Sequence, residues 1–344
     1  MSGHRAGGLA FAALMLAAAL ICVPGASAAE VAIHFTLDRS IEGPAAPFLL
    51  PLDKGYYKAQ GLKVSVEPAA DLLEPITRVA SGNYEMGFAD INALIKFRDA
   101  NPGAPVKAVF VVYNRPAYAV IGRRSRGIDV PKELEGKKLG APAADSAFAQ
   151  WPIFVNANRI DASKVKIENV GLPVREPMLA AGQVDAITGL TYQAFINLKD
   201  KGVPVEDILV LRMADYGVDL YGQAIIVNTR FATQHPDAVK GFLRAFVKGL
   251  RETVRAPGAA VDIVLRHNDS IKKELEVDRL KMVIADNIVT DEVRTNGYGG
   301  IDKGRFAHAI DQIALAYRFQ ESKPKPGDIF DGAYLPAADM RKLR

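Results

Sequence analysis

The chain has 344 residues, of which 49% are apolar and 24% are charged. This composition excludes a disordered protein, and a length beyond the roughly 100–200 residues of one domain favours two lobes. The formal net charge is only +4, and no run of lysine and arginine with interleaved aromatic residues occurs, which argues against a nucleic-acid partner.

The first 28 residues have the pattern of an export signal. His4 and Arg5 form a short positive start, residues 9–23 are apolar, and Ala26-Ser27-Ala28 fits a cleavage site. We therefore expect residues 1–28 to be a signal peptide and the mature protein to be periplasmic.

Cys22 is the only cysteine and lies inside this segment. The mature protein then has no disulfide, thiolate metal site or cysteine nucleophile. Lipidation of Cys22 stays open, although Ile21 stands where a small residue would be expected. We expect a freely soluble monomer.

Strand and helix patterns alternate through the remaining chain, as in α/β proteins. The predicted strands are 31–38, 62–68, 84–89, 106–113, 118–121, 138–141, 165–170, 184–188, 208–212 and 221–228. The predicted helices are 48–60, 90–100, 145–158 and 176–181, one with Thr233 as its N-cap, and one that starts after Asp302. Asn114-Arg115-Pro116 separates two apolar strands, so we place a hinge there.

This order predicts a two-lobed α/β protein. The first lobe comprises residues 29–118 together with 221–344, and the second comprises residues 119–220. The chain then crosses twice between the lobes, and a ligand cleft lies between them.

Enzyme motifs are absent from the sequence. There is no G-x-S-x-G elbow, phosphate-binding loop, H-E-x-x-H helix or dinucleotide fingerprint. His34, His235 and His308 are scattered and do not form a set of metal ligands. We therefore predict no enzymatic activity, no catalytic residue, no cofactor and no metal site.

Several segments carry a family resemblance in the right order over the mature chain. They are LPLDKGYYKAQGLKVSVEP, SGNYEMGFAD, LEGKKLGAPAADSAF, GQVDAITG, YGVDLYGQAIIVN and HPDAVKGFLRAFVKGL. They resemble the solute-binding proteins of bacterial ABC importers, in the branch of the thiamine-pyrimidine synthase-like, nitrate, taurine and sulfonate binders. The resemblance implies a periplasmic binding protein of type II-like fold that closes over a small molecule and docks on a membrane permease.

The first loop departs from the thiamine-pyrimidine binders that it resembles. Arg39 stands where they have tryptophan, and Ala45 falls where a histidine would be. The cysteine-rich iron motif of the fungal synthases is missing. These departures argue against the aminopyrimidine ligand and the synthase activity.

Candidate ligand contacts follow from positions in loops near strand ends, where open α/β sheets bind ligands. They are Asp38, Arg39, Phe48, Asp90, Ser146, Trp151, Thr188, Tyr192, Asp215 and Tyr216. We rank Asp38, Asp90, Tyr192 and Asp215 first.

Most of these candidates have a structural alternative. Asp90 is equally suited to cap a helix, and Asp145 competes with Ser146 for such a role. Phe48 and Trp151 are also expected in a core, and Asp215 with Tyr216 in a turn.

The sequence thus favours a solute receptor of an ABC transporter that captures a small polar organic or anionic solute, for example a pyrimidine, sulfonate or nitrate. The alternatives are an enzyme of the same fold, such as a pyrimidine synthase-like protein, and a ligand-sensing partner of a membrane signalling protein.

Overall fold

The computed structural model describes residue 3, residues 30–320 and residues 322–343. The predicted cleavage site and Cys22 lie outside these residues. The strands are β1 (Val31–Thr36), β2 (Leu62–Glu67), β3 (Met86–Asp90), β4 (Val106–Val111), β5 (Tyr118–Arg123), β6 (Lys138–Gly140), β7 (Lys166–Glu168), β8 (Ala186–Leu190), β9 (Ile208–Arg212) and β10 (Gln223–Asn228).

Helices lie between and after the strands. They are α1 (Ala46–Asp53), α2 (Glu74–Ser81), α3 (Ile91–Ala100), α4 (Trp151–Ala157), α5 (Arg175–Ala180), α6 (Thr191–Asp200), α7 (Thr229–Gln234), α8 (Pro236–Arg255), α9 (Pro257–His267), α10 (Lys273–Val283), α11 (Asp291–Asn296), α12 (Lys303–Ala316), α13 (Pro326–Ile329) and α14 (Ala338–Arg341). None of those in the described segments has the length and hydropathy that a bilayer span requires.

The strands form two five-stranded sheets. Their orders are β2-β1-β3-β10-β4 and β7-β6-β8-β5-β9. In each sheet four strands run in the same direction, and one strand, β10 in the first sheet and β5 in the second, pairs antiparallel with both of its neighbours. The predicted two-lobed α/β fold with two crossings is confirmed.

Both sheets contain strands that are buried on both faces. All residues of β3, β8 and β10 are buried, which explains their nearly continuous apolar sequences. The amphipathic helix α8 packs its apolar side, including Phe242 and Phe246, against the first sheet. The strands of the second sheet lie between residues 118 and 212, while the proposed lobe boundaries stay a prediction.

The chain passes between the sheets through residues 112–117 and 213–222. These two crossings touch, since Gly222 N donates to Tyr113 O at 2.9 Å. A Cβ atom added at Gly222 would lie 2.9 Å from Tyr113 Cβ and 3.0 Å from Pro116 Cα. Glycine is therefore required by the close approach of the two crossing segments.

We expect Gly222→Ala to destabilise the protein by about 1–3 kcal/mol, because the added methyl group must displace backbone atoms. Urea unfolding measures the change. Gly103→Ala is the control, since no atom lies within 4 Å of its Cβ position. Equal stability of both variants would show that the crossings do not need this contact.

Three helix predictions are wrong in detail. The helix predicted over 48–60 ends at Asp53, and Gly55 follows with φ of 69°, a conformation outside the helix. The helix predicted from Asp145 begins only at Trp151, because Pro152 lacks an N–H and is tolerated only in a first turn. The helix predicted to have Thr233 as N-cap begins at Pro236, whereas Asp302 caps α12 as expected.

Candidate functional site

A cleft of about 720 Å³ lies between the two sheets. Its walls follow the carboxyl ends of β1 and β2 in one sheet and of β6, β7 and β8 in the other, the edge at which open α/β sheets bind ligands. The lining residues are Asp38, Arg39, Ser40, Ala69, Ala70, Asp71, Leu72, Leu73, Ala144, Asp145, Leu172, Pro173, Arg175, Glu176, Pro177, Leu190, Gln193, Asn197, Asp200 and Lys201.

Asp38 and Arg39 lie on the wall formed by the first sheet. The Arg39 guanidinium donates to the Asp38 carboxylate at 3.2 and 2.9 Å and to Gln193 Oε1 on the opposite wall at 3.1 Å. Burial acts to lower the pKa of Arg39, but the charge and hydrogen bond of Asp38, together with Tyr192 and Glu42, outweigh it, and the pKa lies well above its ordinary value. Arg39 therefore stays charged and links the two walls.

Arg175 is the corresponding cation of the second wall and is only 4% exposed. Its Nε and Nη2 donate to Glu176 Oε1 at 3.1 and 2.8 Å, and Nη1 lies 3.6 Å from Asp145 Oδ2. Arg175 and Glu176 line the cleft but are not among the predicted site residues. Both residues follow the carboxyl end of β7. The rule that ligand contacts lie in loops after strand ends, which selected Asp38 after β1, could therefore have selected them too.

The two lobes also touch beside the cleft, through α6 and α10. Lys199 on α6 lies 2.7 Å from Asp278 on α10, and Lys272, just before α10, lies 2.6 Å from Asp200. Both ion pairs are largely exposed, so each contributes less than about 1 kcal/mol. A third contact is part-buried, from Arg279 Nη2 on α10 to Asn197 Oδ1 on α6 at 3.2 Å, so the two helices are joined by more than surface ion pairs.

Asp90 caps a helix, as one of its two interpretations predicts. Its side chain accepts hydrogen bonds from the backbone N–H groups of Asn92 and Ala93 at the start of α3, and Tyr118 OH also donates to it. Burial raises the pKa of Asp90, against these hydrogen bonds. Asp90 is not among the cleft-lining residues, and its contact with a ligand stays a prediction.

Ser146 and Thr188 lie close in sequence to residues that line the cleft, but neither of them lines it. Their hydroxyl oxygens are buried and have no hydrogen-bond partner within the described part of the chain. Trp151 is 7% exposed and packs on Phe154 with ring centroids 5.9 Å apart. This burial agrees with the core position that is one of the two interpretations of Trp151.

Phe48 and Tyr192 are both buried. The Phe48 ring lies 4.8–5.0 Å, centroid to centroid, from the rings of Phe35, Phe88 and Phe246. Tyr192 lies below Arg39, whose guanidinium carbon is 5.7 Å from the ring centroid. Burial raises the pKa of Tyr192, so its hydroxyl stays protonated at neutral pH.

Asp215 and Tyr216 lie in the second crossing and do not line the cleft. Asp215 accepts from Arg115 of the first crossing at 2.5 Å and from Arg212 at 2.6 Å. Tyr216 packs edge-on against Phe154. Asp215 therefore joins the two crossings, and its role as a ligand contact stays a prediction.

We expect Asp215→Asn to destabilise the protein by about 1 kcal/mol at pH 7. Burial acts to raise the pKa of Asp215, but hydrogen bonds from Arg212 and Arg115 outweigh it and the pKa is lowered. A carboxyl group with a lowered folded-state pKa stabilises the fold above its unfolded pKa of about 3.9 and loses that contribution as the pH falls.

Urea unfolding of wild type and variant from pH 7 to pH 3 measures this difference, which should shrink below about pH 4. Asp311→Asn is the control, because its ion pair with Lys323 is more than half exposed. A difference that persists undiminished at pH 3 would contradict a role for the Asp215 charge.

The described residues contain no group of three or more His, Cys, Asp or Glu side chains that could hold a metal ion. The cleft chemistry of these residues therefore comes from ion pairs, amides and carboxylates. Such a site can bind and orient a polar molecule by charge and hydrogen bonds.

The same architecture occurs in solved structures. The aliphatic sulfonate-binding protein SsuA from Escherichia coli matches with a TM-score of 0.70 and 12% identity over 89% of this chain and 94% of that chain. The nitrate-binding protein NrtA from Synechocystis PCC 6803 matches with a TM-score of 0.63 and 12% identity over 89% and 87%. The chain thus has the periplasmic-binding-protein fold.

The sequence profile of the family named NMT1/THI5 like matches residues 44–260. These residues make up more than half of the chain, so the protein belongs to the NMT1/THI5-like family.

Curated relatives differ in what their names say. A formylaminopyrimidine-binding protein of Halalkalibacterium halodurans is 25% identical over 68% of this chain and 71% of its own length. The riboflavin-binding protein RibY of Chloroflexus aurantiacus is 25% identical over 64% and 62%. A 4-amino-5-hydroxymethyl-2-methylpyrimidine phosphate synthase of Schizosaccharomyces pombe is 24% identical over 62% and 64%. The match covers less than two thirds of the length of RibY and of the Schizosaccharomyces pombe synthase.

Proposed function

We propose that this protein is the periplasmic solute receptor of an ABC importer, which captures a small polar solute and delivers it to a membrane permease. The observation that carries the proposal is the cleft of about 720 Å³ with walls from both sheets. Its volume falls within the range of small-molecule sites. The solute is organic or anionic, with a pyrimidine, a sulfonate and nitrate as the first compounds to test.

The contacts across the cleft support capture by closure. Arg39 reaches Gln193 on the opposite wall at 3.1 Å, and α6 meets α10 through exposed ion pairs. A ligand that binds both walls stabilises the arrangement in which they are close, so binding and closure are linked. A closed receptor presents a different surface to a permease than an open one.

An enzyme of the same fold is the second candidate, because several relatives are named as pyrimidine phosphate synthases. The missing catalytic motifs and the missing cysteine-rich segment favour binding without chemistry. We infer that the bound molecule is released chemically unchanged.

A thermal-shift panel tests the receptor function on the full chain. Pyrimidines, sulfonates, nitrate, aromatic carboxylates and flavins are added at increasing concentration up to saturation, and a ligand present at about 100 times its dissociation constant stabilises the fold by about 2.7 kcal/mol. At least one class should raise the melting temperature. Stabilisation by none of them would contradict the proposed range of solutes.

The enzyme alternative is tested with any compound that stabilises the protein. Long incubation followed by mass spectrometry of the small-molecule fraction should return that compound intact. Conversion to a product, absent from a heat-denatured control, would favour the enzyme over the receptor.

A further inference from the structure

We propose that helix α6 carries a latch that closes the cleft before any solute binds. The latch consists of two amides of α6, Gln193 and Asn197, and of two arginines of the first lobe, Arg39 and Arg279. The inference goes beyond the proposed receptor function, because it concerns the equilibrium between open and closed lobes in the absence of solute.

The two amides lie on one face of α6. Gln193 and Asn197 are four residues apart, a spacing that places side chains one above the other along a helix. Gln193 Oε1 accepts a hydrogen bond from Arg39 Nη1 at 3.1 Å. Asn197 Oδ1 accepts one from Arg279 Nη2 at 3.2 Å. One helix of the second lobe therefore presents two neutral acceptors to two cations of the first lobe.

Each arginine is held by a carboxylate of its own lobe. Arg39 donates to Asp38 from Nε and Nη2 at 3.2 and 2.9 Å. Arg279 donates from Nε to both carboxylate oxygens of Glu276 at 3.2 and 3.1 Å. Gly43 N donates to Glu276 Oε2 at 2.6 Å, which joins α10 to the segment before α1. Separation of the lobes would therefore break the bonds to the amides and leave both cations paired.

The strength of these two bonds allows the lobes to open and close. When the lobes separate, water replaces the amide as acceptor, so each guanidinium exchanges one hydrogen bond for another. A hydrogen bond to a charged group keeps a net advantage inside the protein, and one such bond shifts an equilibrium by about tenfold. Since the apparent affinity of a cleft is proportional to the fraction of molecules in the binding state, the latch raises the affinity for the solute.

Arg279 has an unused donor at this contact. It is 4% exposed, and its Nη1 is buried without a hydrogen-bond partner among the residues that the structure describes. The amide oxygen of Asn197 accepts from Nη2 alone, whereas a carboxylate can accept from two nitrogens of one guanidinium. A substitution of Asn197 can therefore strengthen the latch, as aspartate, or remove it, as alanine.

Pulsed electron spin resonance on the full chain without solute measures the closure. Spin labels are attached at Leu73→Cys and Leu172→Cys in a Cys22→Ser background, because these leucines line opposite walls of the cleft and are 54% and 43% exposed. Asn197→Ala should lower the ratio of short to long distances about tenfold, and Asn197→Asp should raise it. A distribution that is the same in wild type and Asn197→Ala, or that opens in Asn197→Asp, would overturn the proposal.

Lys199→Ala is the matched control on the same helix. The ion pair of Lys199 with Asp278 is exposed, with side chains 38% and 43% accessible, so its loss should change the ratio less than about threefold. Opening as large as in Asn197→Ala would show that the amide bonds do not act as the latch.

Gln193→Ala removes the other bond of the latch and should open the cleft by a similar factor. It carries the test if Asn197→Ala does not fold, and an unchanged distribution in Gln193→Ala would then overturn the proposal. Because no solute is present in these measurements, a failed latch leaves the receptor function and its thermal-shift test untouched.

Discussion

Replacement of Arg175 by methionine is expected to destabilise the folded protein by about 3–5 kcal/mol, because it leaves a buried acidic pair without its cation. Arg175 is 4% exposed and lies between Glu176 and Asp145, which are 4% and 3% exposed. Methionine fills much of the volume of the arginine stem. The loss in the free energy of unfolding therefore reports the missing charge and not the opening of a cavity. Urea unfolding at pH 7 gives the difference in the free energy of unfolding.

Arg124→Met is the matched control for Arg175. Arg124 pairs with Asp129 on the surface, where the side chains are 52% and 59% exposed, so its replacement should cost less than about 1 kcal/mol. If the two variants are equally stable, the buried pair on the second wall of the cleft does not hold the structure as its geometry indicates.

Replacement of Phe48 by alanine is expected to cost about 3–5 kcal/mol, since it opens a cavity among packed rings. Phe48 is 1% exposed and contacts the rings of Phe35, Phe88 and Phe246. The chemical denaturation midpoint measures this loss. Its size separates the two sequence interpretations of Phe48, because a residue that only forms a ligand wall would change affinity with little change in stability.

Leu315→Ala serves as the control for Phe48. Leu315 is 60% exposed, and such a surface substitution stays within about 0.5 kcal/mol. A Phe48→Ala protein that unfolds like wild type but loses ligand affinity would show that the ring belongs to the site.

The alternation of strands and helices was predictable because it depends on local periodicity. The β-branched runs of β4 and β10 and the three-and-four spacing in α8 all indicated the observed elements. Helix ends were less predictable. The helix predicted from Asp145 does not extend through the residues before Trp151, because Pro152 has no backbone N–H for a helical hydrogen bond. A pattern of apolar residues does not reveal this restriction.

Site residues could be predicted where they follow the end of a strand. They could not be predicted where packing between segments distant in sequence determines which side chains meet. Asp38 follows β1 and lines the cleft, as its position predicted. Arg175 was missed because a charged residue at a helix start is usually solvated, and only the fold brings Glu176 and Asp145 beside it. Whether a carboxylate binds a ligand or caps a helix, as at Asp90, depends on neighbours such as Tyr118 that are distant in sequence.

Native mass spectrometry of the full chain as purified tests the receptor function most directly, because closed clefts often retain their solute. We predict a species heavier than the protein by one small molecule, which dissociates on activation and is recovered chemically unchanged. A protein that carries no added mass, and that gains none after incubation with pyrimidines, sulfonates, nitrate, aromatic carboxylates or flavins, would contradict the receptor function.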